Sequence, residues 1–312
     1  MKKKVAITLT SFAEHDSSPL QLLENKGFEA IKNDFGRKLS EEETLKLCSG
    51  CVGIIAGTET YDKDILKKLA TVKSISRCGV GIENIDIESA EKLGIMIFST
   101  PDAPTLAVAE LTLGLILNLL RKINQMDAAL KNGEWKKLMG NLLCGKKVGI
   151  IGFGRIGQKV AQLLSAFALE LAYTDIQPKS CSTRCKRMTL EEILAWADIL
   201  TLHLSSDKQQ QPIIGKKEIS LMKKASFLVN LSRGGMVDEQ ALYEGLKSGH
   251  LQGAALDVFH QEPYFGPLKE LDNVILTPHI GSYAKEARIK MEFQAVKNLL
   301  AGLNDKANLL KL

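Results

Sequence analysis

The sequence predicts an α/β protein built from two open, mostly parallel sheets. Three observations predict it. Short apolar runs alternate with amphipathic stretches across residues 1–99. A strand, a glycine turn, a helix and a second strand follow one another over residues 146–175. Further apolar runs, most followed by polar or glycine-rich clusters, then recur as far as Leu276. With 312 residues, two domains of ordinary size are the natural expectation.

In the first 99 residues the expected strands are 5–9, 28–32, 52–56, 72–76 and 95–98, with helices between them. Ser40-Glu-Glu-Glu43 reads as a capping box that opens one helix, and Asp62 can cap another. Gly94 closes the helix begun near Ile87. The run from Arg77 to Asp86, RCGVGIENID, follows a strand, so Gly79, Val80 and Gly81 fall at its carboxyl end. Ligands bind at such ends in open α/β sheets, and successive N–H groups there can form an anion nest. A plain glycine turn explains the same residues equally well.

Pro101-Asp-Ala-Pro104 reads as a crossing between domains. A long helix is expected over 105–122, with Leu111, Leu115, Ile116, Leu119 and Leu120 giving it a broad apolar face. That breadth points to burial against both its own domain and a partner chain, with Glu110 in a local or interface pair. A second helix is expected over 125–133, with Trp135 as an aromatic anchor beyond it and Met139 as core filler.

The next stretch organises the chain. Val148, Ile150 and Ile151 form a short apolar run, and Gly152, Gly154 and Gly157 follow at G-x-G-x-x-G spacing. Ile156, Val160, Leu163, Leu164 and Phe167 recur at helical spacing, and a second apolar run ends at Asp175. Gly152 permits the tight turn, Gly154 lets backbone approach a pyrophosphate, and Gly157 lets the helix pack on the strand. The helix N-terminus, which carries Arg155 and Ile156, attracts the phosphates. Asp175 lies eighteen residues after Gly157, where a carboxylate accepts from a ribose 2′-hydroxyl and repels a 2′-phosphate. The expected cofactor is NAD rather than NADP.

After Thr189-Leu-Glu-Glu192, a second capping box, strands are expected at 199–204, 227–231, 254–258 and 274–276, and helices at 216–222, 238–247 and 283–303. Three polar residues fall after these strands: Arg233 in NLSRGG, Glu262 in DVFHQEP and His279 in TPHIG. An arginine can grip an α-hydroxy or α-keto carboxylate at two points. A histidine can take the hydroxyl proton while hydride leaves carbon, and a glutamate can orient the ring.

Composition narrows the classes further. A chain 45% apolar and 25% charged supports a large core without disulfides. The net charge of +5 is too small and dispersed for nucleic-acid binding, and suits an anionic substrate and cofactor. The longest apolar run, 111–120, is too short to span a bilayer, and the basic start reads as a first strand rather than a leader, so a cytoplasmic protein is expected. Cys48, Cys51, Cys78, Cys144, Cys181 and Cys185 lack zinc spacing and read as free thiols, with Cys48 and Cys51 placed on a helix. No metal is expected. His15, His250 and His260 read as surface or loop residues.

Taken together, VGIIGFGRIG with Asp175, NLSRGG, ALDVFHQEP and TPHIG resemble the D-isomer-specific 2-hydroxyacid dehydrogenases over essentially the whole chain. The resemblance implies an NAD-binding Rossmann domain, residues 100–282, inserted in a smaller flavodoxin-like substrate domain, residues 1–99 plus 283–312. It implies Arg233 as substrate-binding, His279 as acid/base and Glu262 as its partner. Arg77, Val80 and Gly81 would join Arg233 and His279 on the substrate. His203 would border the adenosine, and Leu231, Ser232, Asp257 and Gly281 the nicotinamide side. It also implies a homodimer through the 105–122 region and domains that close over substrate. The expected substrate is D-3-phosphoglycerate, with glyoxylate, hydroxypyruvate or D-lactate-type acids as alternatives. Family members often carry a proline soon after the strand histidine, where this chain reads His203-Leu-Ser-Ser-Asp207, so an altered adenine loop is expected. The 57–61 run GTETY stands where some phosphoglycerate enzymes place a phosphate-binding arginine; Lys63 is a nearby cation. Longer relatives carry a C-terminal regulatory domain, so feedback through one is not expected here. A different class, an NAD(H)-sensing co-repressor-like protein, shares the scaffold and is separated by assaying turnover.

Overall fold

The computed structural model describes residues 2–205 and 211–304. The chain divides into two compact units, Met1–Pro104 with Tyr283–Leu312, and Thr105–Ser282.

The first unit alternates β1 (Lys3–Ile7), α1 (Ser18–Asn25), β2 (Phe28–Lys32), α2 (Glu41–Cys48), β3 (Cys51–Ala56), α3 (Lys63–Lys68), β4 (Ser74–Arg77), α4 (Ile87–Lys92) and β5 (Met96–Phe98). All its pairings are parallel, in the order β2-β1-β3-β4-β5, which is the flavodoxin-like arrangement. The helix starts follow local chemistry. Ser40 and Glu43 form the reciprocal capping box, and Asp62 accepts from the N–H groups of Asp64 and Ile65. Gly94 takes the left-handed φ of +69° that stops α4.

The second unit runs α5 (Thr105–Arg121), α6 (Ile123–Lys131), β6 (Lys147–Ile151), α7 (Arg155–Leu164), β7 (Glu170–Thr174), β8 (Lys186–Arg187), α8 (Leu190–Trp196), β9 (Ile199–Leu202), α9 (Lys216–Leu221), β10 (Ser226–Asn230), α10 (Glu239–Lys247), β11 (Leu251–Leu256) and β12 (Val274–Leu276). Its seven strands are parallel in the order β12-β11-β10-β9-β6-β7-β8. Counted from β6, that is the doubly wound dinucleotide-binding order with one strand added. Two apolar clusters cover the two faces. One joins α5 and α7 through Leu115, Ile116, Val160 and Leu164; the other joins α8, α9 and α10 through Ile193, Ile219 and Leu242. The chain then returns to the first unit as α11 (Lys285–Asn304), which packs on α1, β3, β4 and β5. There Leu299 fills the space left by Gly53, and Gly302 lies against Ser74 and Phe98.

Several expectations change. Cys48 ends α2 but Cys51 begins β3, because Gly50 turns the chain with a φ of +70° between them. The broad apolar face of α5 is largely used within its own unit: Leu115, Ile116, Leu119 and Leu120 are buried. Trp135 is 81% exposed and Met139 88% exposed, so neither anchors nor fills a core in this chain. The two-residue strand β8 was not expected, because Lys186 and Arg187 carry no apolar signal.

Candidate active site

Because the seven strands of the second unit are parallel, all their carboxyl ends fall on one edge. The segments that follow β6, β7, β9, β10, β11 and β12 therefore meet there, and they carry almost every candidate in this unit.

The glycine turn follows β6. Gly152 has a φ of +87°, and a side chain there would meet the His203 carbonyl oxygen at 2.6 Å. A Cβ on Gly157 would lie 2.2 Å from the Gly152 carbonyl oxygen, so α7 can start this close only with glycine. Above Gly154 there is open space, with nothing within 4 Å of a Cβ placed there. No side chain caps α7 at Gly154, and the N–H groups of Ile156 and Gly157 have no acceptor among the described residues. A narrow turn, an open face and uncapped helix donors fit a pyrophosphate. Arg155 is exposed beside them. After β7, Asp175 accepts at Oδ2 from the Phe153 N–H (2.8 Å) and at Oδ1 from the Gln177 N–H (3.2 Å). This fixes the carboxylate at the strand end, where a ribose hydroxyl would bind.

His203 follows β9. Its backbone abuts Gly152, but its ring is buried and its Nε2 pairs with the Thr201 hydroxyl at 2.9 Å. Burial drives its pKa down to about 3, so the ring is neutral at ordinary pH. At this edge its main chain lies against Gly152. Of the His203–Asp207 run where an altered adenine loop is expected, positions 206 and 207 lie outside the described residues.

After β10, Asn230 shapes the turn that holds Arg233. Its Oδ1 accepts from the Ser232 N–H (3.0 Å) and hydroxyl (2.7 Å), and its Nδ2 donates to the Arg233 carbonyl (3.2 Å). Leu231 and Ser232 are buried beneath, and the Arg233 guanidinium donates to the Ser232 carbonyl at 2.8 Å. A Cβ on Gly234 would lie 1.7 Å from the Phe259 carbonyl oxygen. Only glycine lets this turn rest against the segment after β11.

That segment carries Asp257 and Glu262. Asp257 is 1% exposed and binds the loop after β12 at three points. Its Oδ1 accepts from the Thr277 hydroxyl (2.6 Å) and the Ile280 N–H (2.8 Å), and its Oδ2 from the Gly281 N–H (2.8 Å). His279 sits inside the loop so held, with a φ of +54°. A non-glycine residue there costs on the order of 1–3 kcal/mol, and the surrounding bonds must offset it. The His279 Nδ1 lies 2.9 Å from Glu262 Oε2, and the other Glu262 oxygen accepts from the Phe259 N–H at 3.1 Å. Partial burial alone would raise the Glu262 pKa. The His279 hydrogen bond and charge, the Phe259 N–H and the Arg233 charge outweigh it and hold the carboxyl below its ordinary range. Glu262 thus feels both His279 and Arg233. With Nδ1 committed to the glutamate, Nε2 is the atom left for a substrate.

A sequence model described as "D-isomer specific 2-hydroxyacid dehydrogenase, NAD binding domain" matches residues 113–281. The chain belongs to the D-isomer specific 2-hydroxyacid dehydrogenase family. Among its relatives it is 42% identical to a D-3-phosphoglycerate dehydrogenase of Methanocaldococcus jannaschii, over 80% of this chain and 49% of that protein. It is 40% identical to a glyoxylate reductase of Thermococcus litoralis, over 78% of each. It therefore spans about half the length of the archaeal phosphoglycerate dehydrogenase and most of the glyoxylate reductase. A crystal structure of a Thermus thermophilus protein, 34% identical, matches 96% of both chains with a TM-score of 0.89. This dehydrogenase-family member binds its cofactor, NAD, through the second unit, where the matched residues lie.

The first unit has its own candidate site, on the turn after β4. Gly79 has a φ of +156°, and its N–H donates to the Thr100 hydroxyl at 2.8 Å. The Arg77 guanidinium folds back onto the Cys78 carbonyl. The N–H groups of Val80 and Gly81 have no acceptor among the described residues, and Val80 is exposed. The turn can thus offer two donors to an anion. Beside it, the 57–61 turn is closed by a buried carboxylate. Glu59 is 2% exposed and accepts from the Thr8 hydroxyl at 2.7 Å, while Asn84 donates to the Glu59 carbonyl at 2.6 Å.

Asn230 and Gly234 were missed as functional residues, although both stand in the NLSRGG run that signalled Arg233. Elsewhere, a cavity of about 120 Å³ opens between Asn118, Lys122, Gln125 and Asn273, at the amino ends of β10 to β12. It lies at the opposite sheet edge from the catalytic candidates; there Asn118 donates to Asn124 at 2.6 Å, and Gln125 and Asn273 donate to main-chain carbonyls. Among the described residues no three His, Cys, Asp or Glu side chains converge to hold a metal, and no helix is long and apolar enough to cross a membrane.

Proposed function

We propose that this chain interconverts a D-2-hydroxy acid and its 2-keto acid with NAD, and that D-3-phosphoglycerate and 3-phosphohydroxypyruvate are the natural pair. One observation carries the reaction type: a histidine held by a glutamate that also feels the charge of an arginine, on the same sheet edge as the glycine turn. Bound NAD supplies the two-electron hydride chemistry. The chain's own residues do the rest. Arg233 grips the substrate carboxylate through two guanidinium donors. His279 Nε2 takes the 2-hydroxyl proton as the carbon is oxidised and returns it in the reverse direction. Glu262 holds the ring through Nδ1 and stabilises the imidazolium that forms.

The phosphorylated substrate is favoured by the similarity to phosphoglycerate dehydrogenases. A second reading, glyoxylate or hydroxypyruvate reduction, is favoured by the 57–61 turn. That turn directs a carboxylate inward and presents Thr58 and Thr60, rather than a cation, to solvent. A panel of 2-keto acids with and without phosphate, followed by NADH absorbance, separates the two. Turnover of 3-phosphohydroxypyruvate with the highest kcat/KM supports the first reading; preference for the unphosphorylated acids supports the second. Dinucleotide binding with no turnover on any acid overturns both in favour of a sensing protein.

We propose further that the chain is a homodimer through the α5 region. Leu106, Ile123, Leu130, Trp135, Met139 and Leu142 are all exposed on α5, α6 and the segment that follows. Six large apolar side chains exposed within residues 106–142 are the kind of surface that a partner chain would cover.

A further inference from the structure

We propose that Arg187 is a latent anchor for a 2′-phosphate, and that Asp175 overrides it to keep the site selective for NAD. This rests on the assignment of the dinucleotide to the second unit and goes further by naming the residue that would accept the phosphorylated cofactor.

Asp175 cannot swing aside, because the Phe153 and Gln177 N–H groups hold both its oxygens. A carboxylate has about four acceptor positions, so it keeps lone pairs for a ribose hydroxyl while pinned. Arg187 reaches the same place from the neighbouring strand. It ends β8, opposite Tyr173 of β7, and its Nη2 donates to the carbonyls of Asp175 (3.1 Å) and Ile176 (3.3 Å). Those two bonds hold the guanidinium beside the backbone of the very residue that would receive the ribose. They use one of its three nitrogens. Nε and Nη1 have no acceptor among the described residues.

A guanidinium that keeps free donors suits a phosphate, whose oxygens it can meet in pairs. A surface arginine that only stitches a loop would explain the two carbonyl bonds. It would not predict any dependence of dinucleotide choice on Arg187. The edge therefore holds two opposed groups at one residue: a carboxylate that accepts from a 2′-hydroxyl and repels a 2′-phosphate, and a cation bonded to the same residue's main-chain carbonyl. Removing the negative charge exposes the cation's preference.

The test measures binding rather than turnover. Dissociation constants for NADH and NADPH are determined by nicotinamide fluorescence on the full chain, for wild type, Asp175→Asn, Arg187→Ala and the double variant. Asparagine keeps an acceptor for the Phe153 N–H; Asp175→Ser serves if it folds poorly. The expected result is NADPH binding about tenfold tighter or more in Asp175→Asn, with the gain lost when Arg187→Ala is added. The gain should also shrink with added salt, as an exposed charge interaction does. NADPH affinity that does not improve in Asp175→Asn, or that improves equally without Arg187, overturns the assignment, while NADH binding by wild type shows that the cofactor site itself stands. Wild type that binds neither dinucleotide overturns the cofactor site itself, and Arg187 with it.

Discussion

Glu262 Oε2 lies 2.9 Å from His279 Nδ1, across a gap of seventeen residues in sequence. The bond leaves one imidazole nitrogen for chemistry and puts a negative charge behind the other. Replacing Glu262 by glutamine keeps a hydrogen-bond partner but removes that charge. The oxidation rate should fall about tenfold or more, with a smaller change in KM, and His279→Ala should cost about 100-fold or more. Steady-state kinetics on the best substrate of the keto- and hydroxy-acid panel checks both; a near-normal rate in either variant removes that residue from proton transfer.

Asp257 supplies the buried acceptor for three donors of the 277–281 loop. Asp257→Ala should destabilise the chain by roughly 2–4 kcal/mol, because buried donors lose their partner. It should also depress activity, because His279 rides on that loop. Asp257→Asn keeps an acceptor and should cost less. Urea denaturation of the three proteins gives the order directly.

The pH dependence of stability should carry the mark of His203. Its folded pKa, about 3, lies below the ordinary 6.5. Below pH 6.5 the unfolded chain takes up a proton that the folded chain refuses until about pH 3. Stability therefore falls as pH drops through this window. The decline between pH 7.5 and pH 5 should be shallower in His203→Asn, as read from urea midpoints at each pH. An identical slope in the variant would show that the buried ring is not the source.

The exposed apolar residues of the α5 region predict association. Light scattering should give a dimer mass for wild type. Combined Trp135→Glu and Met139→Glu should lower it towards the monomer, because two charges would enter an apolar contact. Both side chains are mostly exposed within one chain, so the substitutions disturb little else. A dimer mass unchanged by the pair would place the interface elsewhere.

Much of this architecture could be read from sequence because its signals are short-range. Ser40 with Glu43 and Thr189 with Glu192 each form a complete helix start within four residues. The spacing of Gly152, Gly154 and Gly157 describes a turn that needs no distant neighbour to be recognised. What escaped reading depends on partners far along the chain. Nothing near Asp257 in sequence reveals its three bonds to the 277–281 loop. Gly234 carries no signal of its own in the NLSRGG run, yet its missing side chain admits the Phe259 carbonyl. Trp135 and Met139 misled for the opposite reason: large apolar residues are usually buried, and here they face solvent.

Helix α11 is the last element among the described residues, yet it covers strands made about two hundred residues earlier. While the ribosome is still short of residue 304, the sheet of β1 to β5 is only partly covered, by α1, on the face that Leu299 and its neighbours will fill. At about 5–20 residues per second that interval lasts many seconds, during which the inserted middle portion can complete its own sheet. A nascent chain halted before α11 should be cut by protease within its first hundred residues and resist in the middle.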